Sequence, residues 1–430
     1  MIWRMASAPL RSGRPAERGE AKLISIEAAR ARVLAAAGLL EAIDLPLEAA
    51  LDRVLAIAAT SPHPAPPFDN SAMDGYAVRS ADLDNLPTRL RLVAESRAGS
   101  PAAQGPAAGD AVAISTGAAL PEGADTVVRI EDTEIGGQTD QPWVKILRSP
   151  GHAANIRRAG EDIVAGSEVL AEGTPIGPAE LGVLATIGLD RVSVRRRPRV
   201  AVVGTGDELV APGAPLGPGQ IHDSNRFTVA ALVERCGGEV ASSEVVGDQL
   251  EATTRALRAG LEQDVLIACG GVSVGPHDHV RPALAALGVA EHFWGIALRP
   301  GKPTWFGRAE SEHGSTLVFG LPGNPVSAMV TFIVLVRPAL RAMQGADPGA
   351  RRLNARLAAP VAMTRGRTHL ARCRLAPGPH GLVAEPTGAQ GSHVLTSMLG
   401  AEALAIIPAG EGDLPAGAAV EVELLDQAPA

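Results

Sequence analysis

Five short strings in this chain combine glycine with a carboxylate, a hydroxyl or a cation: Gly204-Thr205-Gly206-Asp207-Glu208, Gly247-Asp248, Gly270–Asp278, Arg299-Pro300-Gly301-Lys302-Pro303 and Leu321–Ser327. Glycine lets backbone N–H groups close on an anion, and a helix start adds a favourable dipole. The Gly270–Gly275 loop, with Gly271 and Ser273, and the Pro322–Ser327 loop, with Asn324 and Ser327, therefore read as phosphate or oxyanion cradles. Arg299 and Lys302 supply positive charge. Glu208, Asp248 and Asp278 would repel a bare anion, so beside a phosphate they call for a bridging hard cation. Mg²⁺ held by one or two carboxylates plus ligand oxygens fits that role. Each string alone also has a plain reading. Gly204-x-Gly206 is more often a tight turn, Asp207-Glu208 suits a helix start, and Leu321–Pro325 suits a turn. Asp278 and Lys302 could be solvated loop charges, and His277 with His279 is a weak metal signal. Their recurrence after successive strands favours a site.

The strands are legible in the hydrophobic pattern. Between Arg199 and Met343 apolar strands alternate with helices: strands at Arg199–Val203, Glu239–Val246, Val265–Ala268, His292–Ala297 and Thr316–Gly320, and helices at Phe227–Arg235, Ala252–Leu261, Pro282–Leu287 and Val326–Met343. That alternation predicts a mostly parallel sheet with helices on both faces, whose ligands bind beyond the carboxyl ends of its strands. Upstream, helices are expected from Ser25 to Gly38, around Leu47–Leu55 and at Pro178–Ile187. Prolines from Pro62 to Pro67 mark a boundary, and short β-rich runs follow at Arg89–Ala94, Ala111–Ile114, Thr126–Ile130 and Trp143–Leu147. Beyond Gly345–Gly349 short strands and turns predict a compact β-barrel or sandwich. The expected organisation is a disordered extension (1–22), a helical and linker region (23–61 with 151–194), an inserted β-rich domain (62–150), an α/β domain (195–346) and a C-terminal β-domain (347–430).

Composition excludes several classes. At 430 residues and net charge −8 the chain lacks the basic balance of a nucleic-acid binder. Cys236, Cys269 and Cys373 give neither zinc spacing nor a disulfide framework, which favours a reduced, cytoplasmic setting. No signal peptide or membrane span is expected, because Val330–Val336 is too short an apolar run.

A further string, Phe68–Ala77 (FDNSAMDGYA), holds the only tyrosine, Tyr76. By itself Asp69-Asn70-Ser71 reads as an Asx-type turn entering a strand. Together with Ser115-Thr116-Gly117, Ala159–Asp162, Gly204–Leu209, Ser224-Asn225, Gly270–Gly275, Pro300–Pro303 and Leu321–Ser327, however, it resembles the molybdopterin molybdenumtransferase family, similar to the C-terminal domain of gephyrin. The likeness runs in order from about Ile24 to the C-terminus. It implies an α/β multidomain fold whose central, mostly parallel domain binds molybdopterin. An N-terminal helical segment, an inserted β-rich domain and a C-terminal β-barrel-like domain complete that fold. It implies molybdenum insertion: adenylylated molybdopterin plus molybdate gives molybdenum cofactor and AMP, with Mg²⁺. It also implies a homodimer with sites shared between subunits, and the molybdopterin adenylyltransferase and molybdoenzyme apoproteins as candidate partners. Carried over by position, Asp74, Thr116, Asp162, Glu208, Asp248 and Asp278 match positions important in the family. Lys302, Ser327, Arg367 and Ser392 match molybdate or pterin-phosphate contacts. One departure is Arg299, where the family usually has lysine; a planar fork replaces a compact ammonium.

Two other classes fit the residues less well. A nicotinamide dehydrogenase needs a third glycine where Leu209 stands. A non-catalytic pterin-binding or scaffolding protein has no reason to place Asp74, Asp162, Glu208, Asp248 and Asp278 around anions.

Overall fold

The computed structural model describes residues 23–425 except 274, 276, 277, 312 and 313. The expected extension 1–22 and His277 lie outside the described residues. The described residues divide into two compact units, one formed by those up to Glu41 together with those from Arg196 onward, the other by Ala42–Arg195.

In the first unit a six-stranded sheet has the order Glu239–Val246, Arg199–Thr205, Val265–Cys269, Gly314–Leu321, Trp305–Ser311, Ala290–Trp294. The first four strands are parallel and Trp305–Ser311 runs antiparallel to both neighbours. Strands covered on both faces need apolar side chains at every position. Accordingly Val200, Val202, Val265 and Ile267 pack toward helices Asn225–Arg235 and Pro325–Met343. The alternate residues Ala201, Val203, Leu266 and Ala268 pack toward Leu250–Gly260 and Val280–Ala286. Helix Ile26–Ala36, capped by the Ser25 hydroxyl accepting from the Ala28 N–H, buries Ile26, Ala29, Val33 and Ala36 in the first of these cores. It therefore belongs with the α/β sheet and not, as its sequence position suggested, with residues 151–194. Helix Pro325–Met343 is long and apolar enough to cross a membrane, yet 83% of its most apolar stretch is buried as a core helix.

The C-terminal region is a closed five-stranded barrel. Thr368–Gly378, Gly381–Pro386, Arg352–Leu357, Ala419–Leu424 and Ala403–Ile407 pair in turn, and Ala403–Ile407 closes back on Thr368–Gly378. Leu298–Arg299 adds to its edge in parallel with Thr368–His369.

The Ala42–Arg195 unit contains a six-stranded sheet ordered Thr126–Arg129, Gly75–Val78, Asp110–Ile114, Thr88–Ser96, Gln141–Ile146, Thr133–Gln138. A separate core gathers Leu55, Ile176, Leu184 and Val194 around helix Pro178–Thr186. The helix expected around Leu47–Leu55 is only a 3₁₀ turn, Leu47–Ala49. Tertiary hydrogen bonds override the local pattern there: the Asp52 N–H donates to Ile176 and the Leu55 N–H to Thr174, with Asp52 at φ 59°.

His369 is buried on the barrel strand Thr368–Gly378. Its Nδ1–H donates to the Ala362 carbonyl at 2.9 Å, and Nε2 has no partner among the described residues. Burial, aided by the Arg299 and Arg372 charges, pushes its pKa from 6.5 down to about 4. The unfolded chain then takes up a proton that the folded one refuses. Stability is full above pH 6.5 and falls as pH drops toward 4, by up to about 3 kcal/mol. His369→Gln should lose less melting temperature than wild type between pH 7.5 and 4.5; equal losses would acquit His369.

Candidate active site

The strand ends Thr205, Val246, Cys269 and Leu321 open on a cleft of about 640 Å³. Glu208, Asp248 and Asp278 line it, together with Gly270, Gly271 and Ser273. The loops hold one another. The Asp248 N–H donates to Asp207 Oδ1 at 2.9 Å, and Asp278 Oδ2 accepts from the Gly275 N–H at 2.6 Å. Gly271 has φ +61°, and a Cβ there would stand 2.9 Å from Thr205 Oγ1, so only glycine lets the turn approach the first strand. Two polar atoms of cleft-lining residues, Thr205 Oγ1 and Asn225 Oδ1, are buried without a partner among the described residues. Such atoms are ready to bind a ligand. Asn225 is fixed by donating its Nδ2 to the Gly323 carbonyl at 2.6 Å. Burial pushes the Cys269 thiol up to about 12, which leaves it protonated and unsuited to nucleophilic work.

An adjoining compartment of about 410 Å³ is cationic. Arg299, Lys302 and Arg367 line it with Ser327 and Ser392, while Pro303, Asn324 and His393 line both spaces. The backbone sets these groups. Gly301 takes φ +123° with no room for a side chain, since a Cβ would come within 2.5 Å of Thr331 Cγ2. The Val326 N–H, at the start of the long helix, donates to the Ser392 carbonyl at 3.1 Å. Arg299 Nη1 donates to Thr364 Oγ1 at 2.9 Å, so its guanidinium is tied to the barrel at one corner while it lines the compartment.

In the Ala42–Arg195 unit, Asp74 Oδ1 accepts from both the N–H (2.7 Å) and the hydroxyl (3.1 Å) of Thr116. This joins the Phe68–Ala77 string to Ser115-Thr116-Gly117. Gly75 fits because a Cβ would collide with the Val128 carbonyl oxygen at 2.0 Å. Asp69 does not close an Asx turn on its own strand. It binds the Ala159 N–H at 2.8 Å and Arg158 Nη1 at 2.5 Å. Asp162 lies on a turn where its N–H donates to the Ala65 carbonyl at 3.0 Å.

The acids Glu208, Asp248 and Asp278, expected to converge on a metal, do share one cleft. Among the described residues, however, no group of three His, Cys, Asp or Glu side chains is gathered to hold a metal ion. One or two of these carboxylates plus ligand oxygens would still suit Mg²⁺. The sequence did not single out Thr205 or His393 as functional. Thr205 sits in the Gly204-x-Gly206 string, where only the fold shows its hydroxyl to be buried without a partner among the described residues, and His393 gains meaning only from the meeting of barrel and α/β domain.

Three family models match the chain in succession: the MoeA N-terminal region (domain I and II) over residues 24–188, a probable molybdopterin binding domain over 201–342, and the MoeA C-terminal region (domain IV) over 354–425. A molybdopterin molybdenumtransferase of Haemophilus influenzae is 36% identical over 383 residues, covering 88% of this chain and 93% of the relative. Gephyrin of Dictyostelium discoideum is 34% identical over 426 residues, covering 87% of this chain and 58% of gephyrin. The crystal structure of the molybdopterin biosynthesis moea protein from Pyrococcus horikosii matches with a TM-score of 0.78 and 31% identity, covering 94% of this chain and 100% of that one.

Gly301→Ala tests the geometry of the cationic compartment. The forced movement of Leu298 or Thr331 should cost about 1–3 kcal/mol of stability and displace Lys302. Oxyanion-induced thermal stabilisation should weaken at least tenfold in midpoint concentration. An unaltered midpoint would show that the loop's shape is not what binds.

Proposed function

This chain belongs to the molybdopterin molybdenumtransferase family and is a transferase of molybdenum cofactor biosynthesis, and from that premise we propose that it converts adenylylated molybdopterin and molybdate into molybdenum cofactor and AMP. The observation that carries this reading is the adjoining pair of compartments, one acidic and glycine-rich, the other cationic. A phosphorylated pterin nucleotide suits the first, and a tetrahedral dianion suits the second. Lys302 and Arg367 provide charge, and the Ser327 and Ser392 hydroxyls provide neutral donors. The Gly271 amide cradles phosphate oxygens on a loop fixed by the Gly270 N–H donating to the Leu321 carbonyl at 3.0 Å, and Thr205 and Asn225 offer their unpartnered atoms. One or two of Glu208, Asp248 and Asp278 would hold Mg²⁺ together with phosphate oxygens, and the ion would neutralise charge where the phosphoanhydride breaks. Water or a molybdate oxygen attacks phosphorus, AMP leaves, and no side-chain nucleophile is needed. The reaction implies the molybdopterin adenylyltransferase as supplier and molybdoenzyme apoproteins as recipients. A purely scaffolding role leaves the acids beside the anion cradles without purpose.

The experiment is AMP release from adenylylated molybdopterin with Mg²⁺ and molybdate. Asp248→Asn should slow release at limiting Mg²⁺ while pterin retention stays nearly intact. Lys302→Ala removes a charge-assisted contact of roughly 1.5–3 kcal/mol, so half-maximal turnover should need about ten- to a hundredfold more molybdate. No AMP release by wild type would overturn the reading. Unchanged molybdate dependence with collapsed pterin binding in Lys302→Ala would reassign the loop to pterin phosphate.

The proposal extends to assembly. Asp74 and Thr116 lie in a unit that carries no phosphate cradle of the strand-end kind, so a second copy of the chain is proposed to complete the site in a homodimer. Mixing inactive Asp74→Ala with inactive Lys302→Ala chains should restore part of the activity through hybrid dimers with one intact site. No recovery after verified subunit exchange would place the whole site within one chain.

A further inference from the structure

Arg372 lies on the barrel strand Thr368–Gly378, and it is the largest fully buried side chain among the described residues. Its Nε donates to Ser397 Oγ at 3.1 Å, and its Nη2 donates to the carbonyls of Gly391 (3.2 Å) and Ala389 (3.4 Å). Its backbone N–H donates to Gln390 Oε1 at 2.9 Å, and Gln390 Nε2 donates back to the Arg372 carbonyl at 3.1 Å. Nη1 is buried with no partner among the described residues. Arg337, the other deeply buried arginine, pairs with Glu423, whereas no described carboxylate pairs with Arg372; the charge acting on it is Arg299, another cation.

A guanidinium kept in the interior without a counter-ion is costly, and side chains of this kind are usually paired. Here the neighbours are carbonyls of one short turn. That turn runs through Gln390 and Gly391 into Ser392, all of which line the cationic compartment, and the Ser392 carbonyl is held by the start of the helix carrying Ser327. We infer that Arg372 is the positioning residue of the anion compartment: it sets the Ala389–Ser392 turn from inside the barrel and leaves its charge to be balanced by the oxyanion bound across that turn. This rests on the proposed reading of the compartment as the molybdate site. A lysine keeps the charge, but its compact ammonium does not reproduce the planar fork that meets Ser397 through Nε and Ala389 and Gly391 through Nη2.

Oxyanion binding can be read without turnover, by titrating molybdate, tungstate or sulfate against the melting temperature of the ligand-free protein. Arg372→Gln should raise the midpoint at least tenfold for molybdate, and in turnover should raise the molybdate KM by a similar factor while kcat falls less than threefold. Arg372→Lys should recover part of the affinity. A midpoint unchanged in Arg372→Gln, or a kcat loss at constant KM, would overturn the inference. Should Arg372→Gln fail to fold, Gln390→Ala and Ser397→Ala loosen the same clamp and keep the charge. Each should raise the midpoint threefold or more, and unchanged midpoints in both would likewise overturn it. Wild type that binds none of the three oxyanions would bring down the reading of the compartment as well. Wild type that binds them, with Arg372→Gln binding equally well, would bring down the role of Arg372 alone.

Discussion

Two residues of parallel pairing, Leu298 with Thr368 and Arg299 with His369, weld the edge of the barrel to the loop that leaves the α/β domain. Lys302 follows this pairing by three residues on one side, and Arg367 precedes it by one on the other. The Thr368 N–H adds a bond to the Ala297 carbonyl, and Arg299 reaches Thr364. Like charges brought together repel, so a site that gathers cations must hold them by backbone if they are to stay in place before an anion arrives. The ladder does this at the cost of no side-chain entropy. The work of assembling the charges is done during folding, and binding does not have to repeat it.

The two compartments separate charge of opposite sign across a short distance. Carboxylates gather where the parallel strands end, cations where the barrel meets the sheet, and the shared wall is Pro303, Asn324 and His393. Left-handed glycines at Gly270 and Gly271 let their loop close on Thr205, and Gly301 lets its loop close on Leu298 and Thr331.

Much of this could be read in the residues. The apolar runs Arg199–Val203 and Val265–Ala268 read as strands buried on both faces and the glycine-rich strings after them as loops, and the strands run on to Thr205 and Cys269. Lys302, Ser327, Arg367 and Ser392, distant in sequence, line one compartment. What could not be read depended on partners far along the chain. Leu47–Leu55 has a helical pattern, but bonds to Thr174 and Ile176 claim its backbone. Trp305–Ser311 follows so closely on the Arg299–Pro303 loop that its strand character is hidden, although it pairs along its length with Gly314–Leu321. Arg372 looks like any strand arginine, and only its burial sets it apart.

Glu423, on the last barrel strand, is 3% exposed and sits among three arginines: Arg337 at 2.8 Å, Arg30 at 3.3 Å and Arg352 at 3.8 Å. Arg30 comes from the first helix and its Nε also takes the Val334 carbonyl, in a stretch where the long helix widens to π geometry. One carboxylate thus ties together the beginning, the middle and the end of this unit, and stranding it would cost about 3–5 kcal/mol. Sequence families divide the unit into consecutive modules, but its energetics do not respect those borders. A chain cut after Met343 would lose the counter-charge of buried Arg337 along with the barrel, so the α/β domain and the barrel share one electrostatic anchor.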